Sequence, residues 1–536
     1  MRKVIFLMLM SLVLSLPSLG RGKTCDICVY GETASGCMAA IQAARMGKTV
    51  ILVAQNEHVG GMVTSGLTAT DMNKHAYITG LPIEFYEKIY EYYLRPQSWF
   101  NQSREEFMVS TLKRTYTGKN DNRRIQWVYE SGVAERILKD MLSEAGVEIV
   151  PNARLKESKR PVCKLGRRIR SIRLTDGTKI RARQYVDCSY EGDLMAGAGV
   201  TYAVGRESRD TYQESLAGIR VYKDSSSRIK DLSPCKDGRL LPLIDTARWG
   251  EDGDADDRVQ AYCYRVTLTD DVDNMIPIEA PEHYNPDYYE VLLTQILNTP
   301  DIQLKNIITF TPMPNRKTDT NHLDMFGASF SYPEADYATR ARIAEDHKDY
   351  ALGMLWFLGH DERVPQYLRD EMLRWGLAAD EYQDSGHFPY QLYVREARRM
   401  VGTYVVTQKD LGKEQRPSIE DCIAIGTYPV DCHYVSTVYT DGELCREGTV
   451  FQPVAPFPIP YGAIVPKRED CTNLLVPVCL SASHIAFCSI RMEPQYMVLG
   501  QSAAIAACKC IDDRCRVQDF NYLRHKGLFS HLPELK

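Results

Sequence analysis

The sequence predicts an α/β fold built on a nucleotide-binding unit, and three observations predict it. A short apolar run at 27–30 ends on Gly31, a helical pattern follows to about Met46, and a second apolar run, TVILVA, fills 49–54. Towards the other end, the buried-strand signal NLLVPVCL precedes YMVLGQSAAIAACKC, whose small residues suit a helix packed tightly on a sheet. Between them, residues 206–454 mix strand and helix signals and are rich in tyrosine. Strand and helix in alternation, with a mixed segment between, is the pattern of an α/β protein carrying a second unit.

At 536 residues the chain is too long for one core and suggests two or more packed units. Its composition, 44% hydrophobic and 25% charged, is that of an ordinary globular protein. A formal net charge of −5 argues against a nucleic-acid partner. The basic stretches KESKR and GRRIRSIR, within 156–173, read as the solvated face of a hairpin.

Residues 1–20 have the order of a secretory signal. Arg2 and Lys3 precede the apolar run VIFLMLMSLVLSL, and Pro17 and SLG close it. The run is too short to span a bilayer, and no later segment is apolar enough to do so. The expectation is an exported protein, periplasmic or secreted, with no membrane span in the mature chain. All 16 cysteines lie beyond the leader, several of them, such as Cys28 and Cys508, where a buried element is expected. A redox pair at Cys25 and Cys28 is a minority reading, because both lie on the first strand. No Cys-x-x-Cys-x-x-Cys cluster exists, which speaks against an iron–sulfur centre, and no metal site is expected.

The first unit carries the nucleotide signal. Gly31 and Gly36 hold the first and third places of a G-x-G-x-x-G turn, where one permits a tight turn and the other close packing of helix on strand. The helix N-terminus then offers free N–H groups to a pyrophosphate. Thr33 replaces the middle glycine, and its hydroxyl could donate to a phosphate oxygen. At the end of the second strand, where an acid usually holds a ribose, Ala54 and Gln55 stand instead. Just beyond comes HVGGMVTSGL. The bare backbone of Gly60, Gly61 and Met62 can lie against a dinucleotide's pyrophosphate and its second half. NAD-binding units do not usually need this second glycine loop, so FAD is the expected cofactor.

Several further blocks then resemble the FAD-dependent oxidoreductase family that includes relatives of the flavin-bearing part of heterodisulfide reductase, many of them exported bacterial proteins. They are GGMVTSGLTATD (60–71), VDCSYEGDLMAGAGVTYAVGRES (186–208), YCYRVTLT (262–269), NRKTDTNH (315–322), YVREARRMVGTY (393–404), IGTYPVDCH (425–433) and VPVCLSASHIAFCSIRMEPQYMVLGQSAAIAA (476–507). The resemblance implies a glutathione-reductase-like FAD/NAD(P)-binding Rossmann domain with an inserted α+β substrate domain. The FAD domain would take residues 24–205 and return at 455–515, the substrate domain 206–454, and a tail 516–536. The extended, proline-rich PVAPFPIPYGAIVP (453–466) suits the crossover. The last helix would point its N-terminus at the pyrimidine end of the flavin. The same blocks imply cofactor contacts at Asp187, in the strand-to-turn segment beside FAD, and at Gln501.

Hydride chemistry needs a base within reach of the substrate. His433 and His484 are the candidates, each in a resembling block expected to approach the flavin. Arg395 could hold a carboxylate or a flavin carbonyl, although REARR (395–399) reads first as a solvated helix face laced with salt bridges. Lys317 and Asp319 could orient substrate or lock a loop. Arg491 and Glu493 read first as an ion pair bracing the last helix, and His58 as structural. The resulting expectation is an exported enzyme that oxidises a small polar substrate, with carbohydrate derivatives among the ligands an aromatic-lined pocket would suit, and passes electrons to an unidentified acceptor. A flavin-bearing electron carrier and a non-catalytic binding protein of the same fold are the alternatives.

Overall fold

In the computed structural model, residues 22–71, 74–111, 124–220, 228–246, 250–412, 419–440 and 442–533 are described. The leader expected at 1–20 lies outside them. Among the described residues, no helix is long and apolar enough to cross a membrane.

Strand β1 (Gly22–Tyr30) is buried on both faces along its last four residues, as a central parallel strand must be. A turn leads into α1 (Ala34–Arg45), which Gly47 follows with φ 78°. Strand β2 (Val50–Val53) then runs parallel to β1. Helices α2 (Leu81–Tyr93) and α3 (Ser131–Glu144) precede β3 (Glu148–Val150), which pairs in parallel with β2. Next come β4 (Val162–Leu165), β5 (Arg168–Arg173) and β6 (Lys179–Asp187). The sheet order is β3-β2-β1-β6-β5-β4, and a short strand Leu474–Leu475 joins β6 in parallel. Strands β4 and β5 are the basic hairpin, with Arg170 and Arg173 exposed on its outer face.

A second, five-stranded sheet comprises β7 (Val266–Thr269), β8 (Met275–Ile276), β9 (Thr309–Met313), β10 (Lys317–Asn321) and β11 (Gly376–Ala378), in the order β8-β11-β7-β10-β9. The long helix α4 (Tyr337–His360) starts on Asp336, whose side chain accepts from Thr339 N at 2.7 Å. The chain then returns to the first sheet, ending in α5 (His484–Ile490) and α6 (Glu493–Asp512). Helix α6 lies against α1 so closely that a Cβ on Gly500 would fall 2.2 Å from Ser35 O. The small-residue pattern of α6 exists for that approach.

The REARR segment is not a helix face. It is extended and wholly buried, and its guanidinium groups reach carboxylates far off in the chain: Arg395 to Asp324 at 2.6 Å, Arg398 to Asp193 at 2.8 Å and Arg399 to Glu207 at 2.6 Å. Buried arginines need such partners, and each of these three has one outside its own segment, Arg399 sharing its guanidinium with Glu396 as well.

Candidate functional site

The glycine turn after β1 is shaped by what lies beside it. A Cβ on Gly36 would fall 1.9 Å from Gly31 O, so α1 can begin this close to the strand only with glycine there. Thr33 caps α1, accepting from Gly36 N at 3.3 Å and donating to Cys188 O at 2.8 Å. Its hydroxyl hydrogen therefore goes to the protein's own carbonyl rather than outward. The loop at 59–67 lies directly on this turn. Gly60 forms a bridge with Thr33, and its N donates to Glu32 O at 2.7 Å. Gly60 and Gly61 have φ of 104° and 58°, and a Cβ on Gly61 would sit 2.5 Å from Tyr190 Oη. Met62 N donates to that same oxygen at 3.0 Å, and Tyr190 in turn donates to Glu493 Oε1 at 2.7 Å.

Beside the turn runs a polar cleft lined by Glu32, Thr33, Gln55, Arg154, Glu191 and Tyr390 among others. Glu32 is the residue that sequence reasoning missed. Its carboxylate leaves the turn and reaches the end of β2, accepting from Gln55 N at 3.0 Å and Asn56 Nδ2 at 3.2 Å. It stands where Ala54 leaves no acid, and burial pushes its pKa up to about 7. An acid inside the glycine turn, in a chain lacking one at the strand end, was the available signal.

Several buried polar atoms have no hydrogen-bond partner among the described residues: Ser35 Oγ on α1, and Glu493 Oε2 and Gln495 Nε2 in the first turn of α6. Unmatched buried donors and acceptors are costly, and a polar ligand would satisfy them. Together with the bare glycine backbone and the cleft, they form a set of groups that fits a dinucleotide.

The other expected cofactor contacts lie as follows. Gln55 faces the cleft, with Nε2 3.5 Å from Glu191 Oε2. Asp187 shapes its own turn, Oδ1 accepting from Ser189 N and Oγ and Oδ2 from Met195 N, and burial lifts its pKa to about 7. Gln501 faces α1 and α2, accepting from Leu81 N at 2.9 Å and donating to Gln42 Oε1 at 3.1 Å. It stands at a helix junction rather than on the cleft.

Of the candidate bases, His433 follows the strand Val430–Cys432 and lines a cavity with His322, Asp324, Phe326, Asp431 and Arg446. Its Nδ1 is 3.1 Å from Asp324 Oδ2, and Asp324 Oδ1 is 2.6 Å from Arg395. Burial favours a neutral Asp324, but Arg395 and His433 outweigh it and hold the carboxyl well below the usual range. For His433, burial and the Arg395 charge both push the pKa down, against the pull of Asp324. Arg395 is 1% exposed, donates to Ala261 O at 2.5 Å and stacks over Tyr393 at 4.6 Å. It touches Asp324, not the cavity.

His484 is 2% exposed and sits in a closed cluster. Its Nδ1 lies 2.8 Å from Glu396 Oε2. Burial opposes its charge, yet Glu396 and Cys488 raise it to about 9, while Glu396, despite burial, is drawn down to about 2 by His484 and Arg399. Cys432, His484 and Cys488 bring possible ligand atoms within 4.8 Å of one another. Gln260 joins the two histidine groups: its Oε1 accepts from His433 N at 3.2 Å and its Nε2 donates to Glu396 Oε2 at 3.0 Å.

Two other pairs separate. Asp319 locks a loop: Oδ2 accepts from Thr68 N at 3.1 Å and Ala69 N at 2.9 Å, while Oδ1 takes Arg265 at 2.7 Å. Lys317 is buried among Glu130, Asp380 and Glu381. Arg491 and Glu493 do not pair with each other. Arg491 meets Asp431 at 3.4 Å and Tyr393 Oη at 2.9 Å, whereas Glu493 meets Tyr190. His58 pairs with Glu135 at 3.1 Å and stacks on Tyr390.

Among solved structures, the chain is similar to an L-amino acid deaminase from Proteus vulgaris (14% identity, 35% of this chain, 53% of that one, TM-score 0.25). It is also similar to an L-proline dehydrogenase from P. horikoshii (14%, 35% and 59%, 0.24) and to the OxyS anhydrotetracycline hydroxylase from Streptomyces rimosus (9%, 35% and 38%, 0.24). The matched stretches thus span about two-fifths to three-fifths of those chains, and likeness this slight carries no argument about substrate. A comparison with curated proteins gives no match. The model of the FAD dependent oxidoreductase family, by contrast, matches residues 26–527. Nearly the whole described chain is covered, and the chain belongs to the FAD dependent oxidoreductase family, an enzyme family whose cofactor is FAD.

Proposed function

We propose that the enzyme oxidises a small polar substrate by hydride transfer to FAD, with His433 as the general base. The observation that carries this is the environment of His433. It opens on a cavity, is oriented by Asp324 and is biased towards the neutral form that can accept a proton. His484 faces no such opening and is held protonated by Glu396, which suits a structural cation better than a base. Bound FAD would supply the hydride acceptor. His433 would take the proton from a substrate O–H or N–H as the adjacent carbon gives up its hydride. Arg395 would act by fixing Asp324, which in turn fixes the imidazole. Glu32 and Gln55 would hold the nucleotide half, and the backbone at Gly61 with Glu493 and Gln495 the polar remainder.

The overall arrangement we favour is glutathione-reductase-like, with one domain at 24–205 and 455–515 and another at 206–454. The return of the chain to the first sheet at Leu474–Leu475 supports it. The apolar leader supports an exported enzyme loaded with FAD outside the cytoplasm. The test is an absorbance spectrum of the mature chain loaded with FAD, followed by anaerobic addition of sugars, amines and hydroxy acids. The wild type should bleach with at least one class. His433→Asn should keep its flavin yet bleach at least ~100-fold more slowly, whereas equal rates in the two proteins would remove His433 from the chemistry.

A further inference from the structure

The cavity at His433 holds one cation, Arg446, that has no ion-pair partner among the described residues. Arg446 comes from the strand Glu443–Glu447, and its guanidinium lies over Phe326 at 4.8 Å and Tyr434 at 5.8 Å. One Nη2 bond, to Gln295 Oε1 at 3.0 Å, is its hydrogen bond among the described residues. Its Nε is enclosed and without a partner. The arginines that meet the cavity's acids are matched: Arg395 by Asp324 at 2.6 Å, Arg491 by Asp431 at 3.4 Å. Elsewhere, buried Arg206, Arg265, Arg340 and Arg399 each have a carboxylate within 3 Å. Arg446 has none within salt-bridge distance among the described residues, and burial pushes its pKa down. The remaining acid of the lining, Asp301, is exposed.

Arg446 is half-buried with its Nε enclosed, and a guanidinium so placed without a counter-ion is unfavourable, so an incoming anion relieves that cost. Its planar fork is suited to a carboxylate. A single unanswered cation favours a monoanion, because Arg395 and Arg491 are already taken by Asp324 and Asp431 and the second charge of a phosphate dianion would find no cation to answer it. Tyr434, under the guanidinium, directly follows His433 in the chain, so the anion subsite and the base are neighbours.

We propose that Arg446 is the carboxylate subsite of this enzyme and that its substrate is a small monocarboxylate, held by the guanidinium while His433 faces the O–H or N–H on the carbon to be oxidised. This rests on the reading of the His433 cavity as the substrate site.

The test titrates the FAD-loaded enzyme with D-glucuronate and L-lactate, and with their neutral counterparts D-glucose and L-lactamide, following the flavin spectrum and the melting temperature. At least one acid should perturb both signals, with its neutral counterpart at least ~10-fold weaker. Arg446→Met should weaken the acid by a similar factor with the flavin retained, and Arg446→Lys by less. Acid and neutral compounds binding alike, an acid that binds Arg446→Met as it binds the wild type, or no response to either acid would overturn the proposal. Flavin bleaching by neutral compounds that needs His433 but not Arg446 would also overturn it, leaving the hydride-transfer reading intact. Arg446-dependent binding of an acid that never bleaches the flavin would uphold the subsite and count against that reading instead.

Discussion

Asp319→Asn is the substitution whose consequence the structure makes most definite. The carboxylate, fully buried, holds three groups: Thr68 N, Ala69 N and the Arg265 guanidinium at 2.7 Å. At that separation, and an effective dielectric of about 20, the attraction to Arg265 is roughly 6 kcal/mol before desolvation is subtracted. Asparagine keeps the shape but turns an NH2 towards either a guanidinium or two backbone donors. Removing one member of a buried pair costs about 3–5 kcal/mol, because the other charge stays buried. Asp71, 3.9 Å from Arg265, offers partial relief and favours the lower end. The loss should appear in urea unfolding of the FAD-loaded protein. Because Thr68 and Ala69 continue the glycine loop that lies on the turn at Thr33, flavin retention through gel filtration should fall as well. A stability change under about 1 kcal/mol with full flavin retention would falsify the argument that Asp319 pins this loop.

Three further outcomes follow from the buried titrating groups. Burial raises Glu493 to about 8, above its unfolded value, so its contribution is full below the unfolded pKa and is lost as pH rises towards 8. Glu493→Gln should therefore gain about 3–4 kcal/mol on the FAD-free wild type between pH 5 and pH 8, and a difference independent of pH would remove Glu493 as the cause. His484 is raised to about 9, so the stability it lends is full below its unfolded value near 6.5 and lost as pH passes 9. The melting-temperature deficit of His484→Gln should shrink between pH 7 and pH 10, and a constant deficit would mean that packing, not charge, is what His484 supplies. Glu32→Ala should weaken FAD binding about tenfold by equilibrium titration, the worth of one or two hydrogen bonds, and unchanged affinity would place the nucleotide elsewhere.

What the sequence made legible was local. Gly31, Gly36 and the strands on either side of α1 are set by neighbours within a few tens of residues, and the long helix at 493–512 declares itself by its small residues. What stayed hidden was every pairing that spans the chain. Thr33 looked free to meet a phosphate because its acceptor, Cys188 O, lies 155 positions away. Gln501 sat in a resembling block, yet its partners come from α1 and α2. Three arginines in five residues carry the spacing of a solvated helix. Nothing local reports that Asp324, Asp193 and Glu207 wait for them in the core. Arg491 and Glu493 mislead in the opposite sense, being near in sequence but turned to different partners.

The two histidines show why such pairings decide chemistry. Both donate or accept at a carboxylate, so residue type and first partner do not distinguish them. The wider charge count does. Around His433, Asp324 is already answered by Arg395 and Asp431 by Arg491, and Arg446 adds a further positive charge, so no negative charge is left for a proton on the imidazole to balance. Protonating His433 would add an unmatched buried charge. Around His484, Glu396 and Glu207 share the single guanidinium of Arg399, and Glu207 also accepts from His484 N at 3.0 Å. Here one proton on the imidazole completes the balance. The same side chain is therefore held ready to take a proton in one place and prevented from losing one in the other, with Gln260 hydrogen-bonded to both groups. That division supports the proposal that the histidine facing a cavity is the base, and that the one that does not is a structural charge.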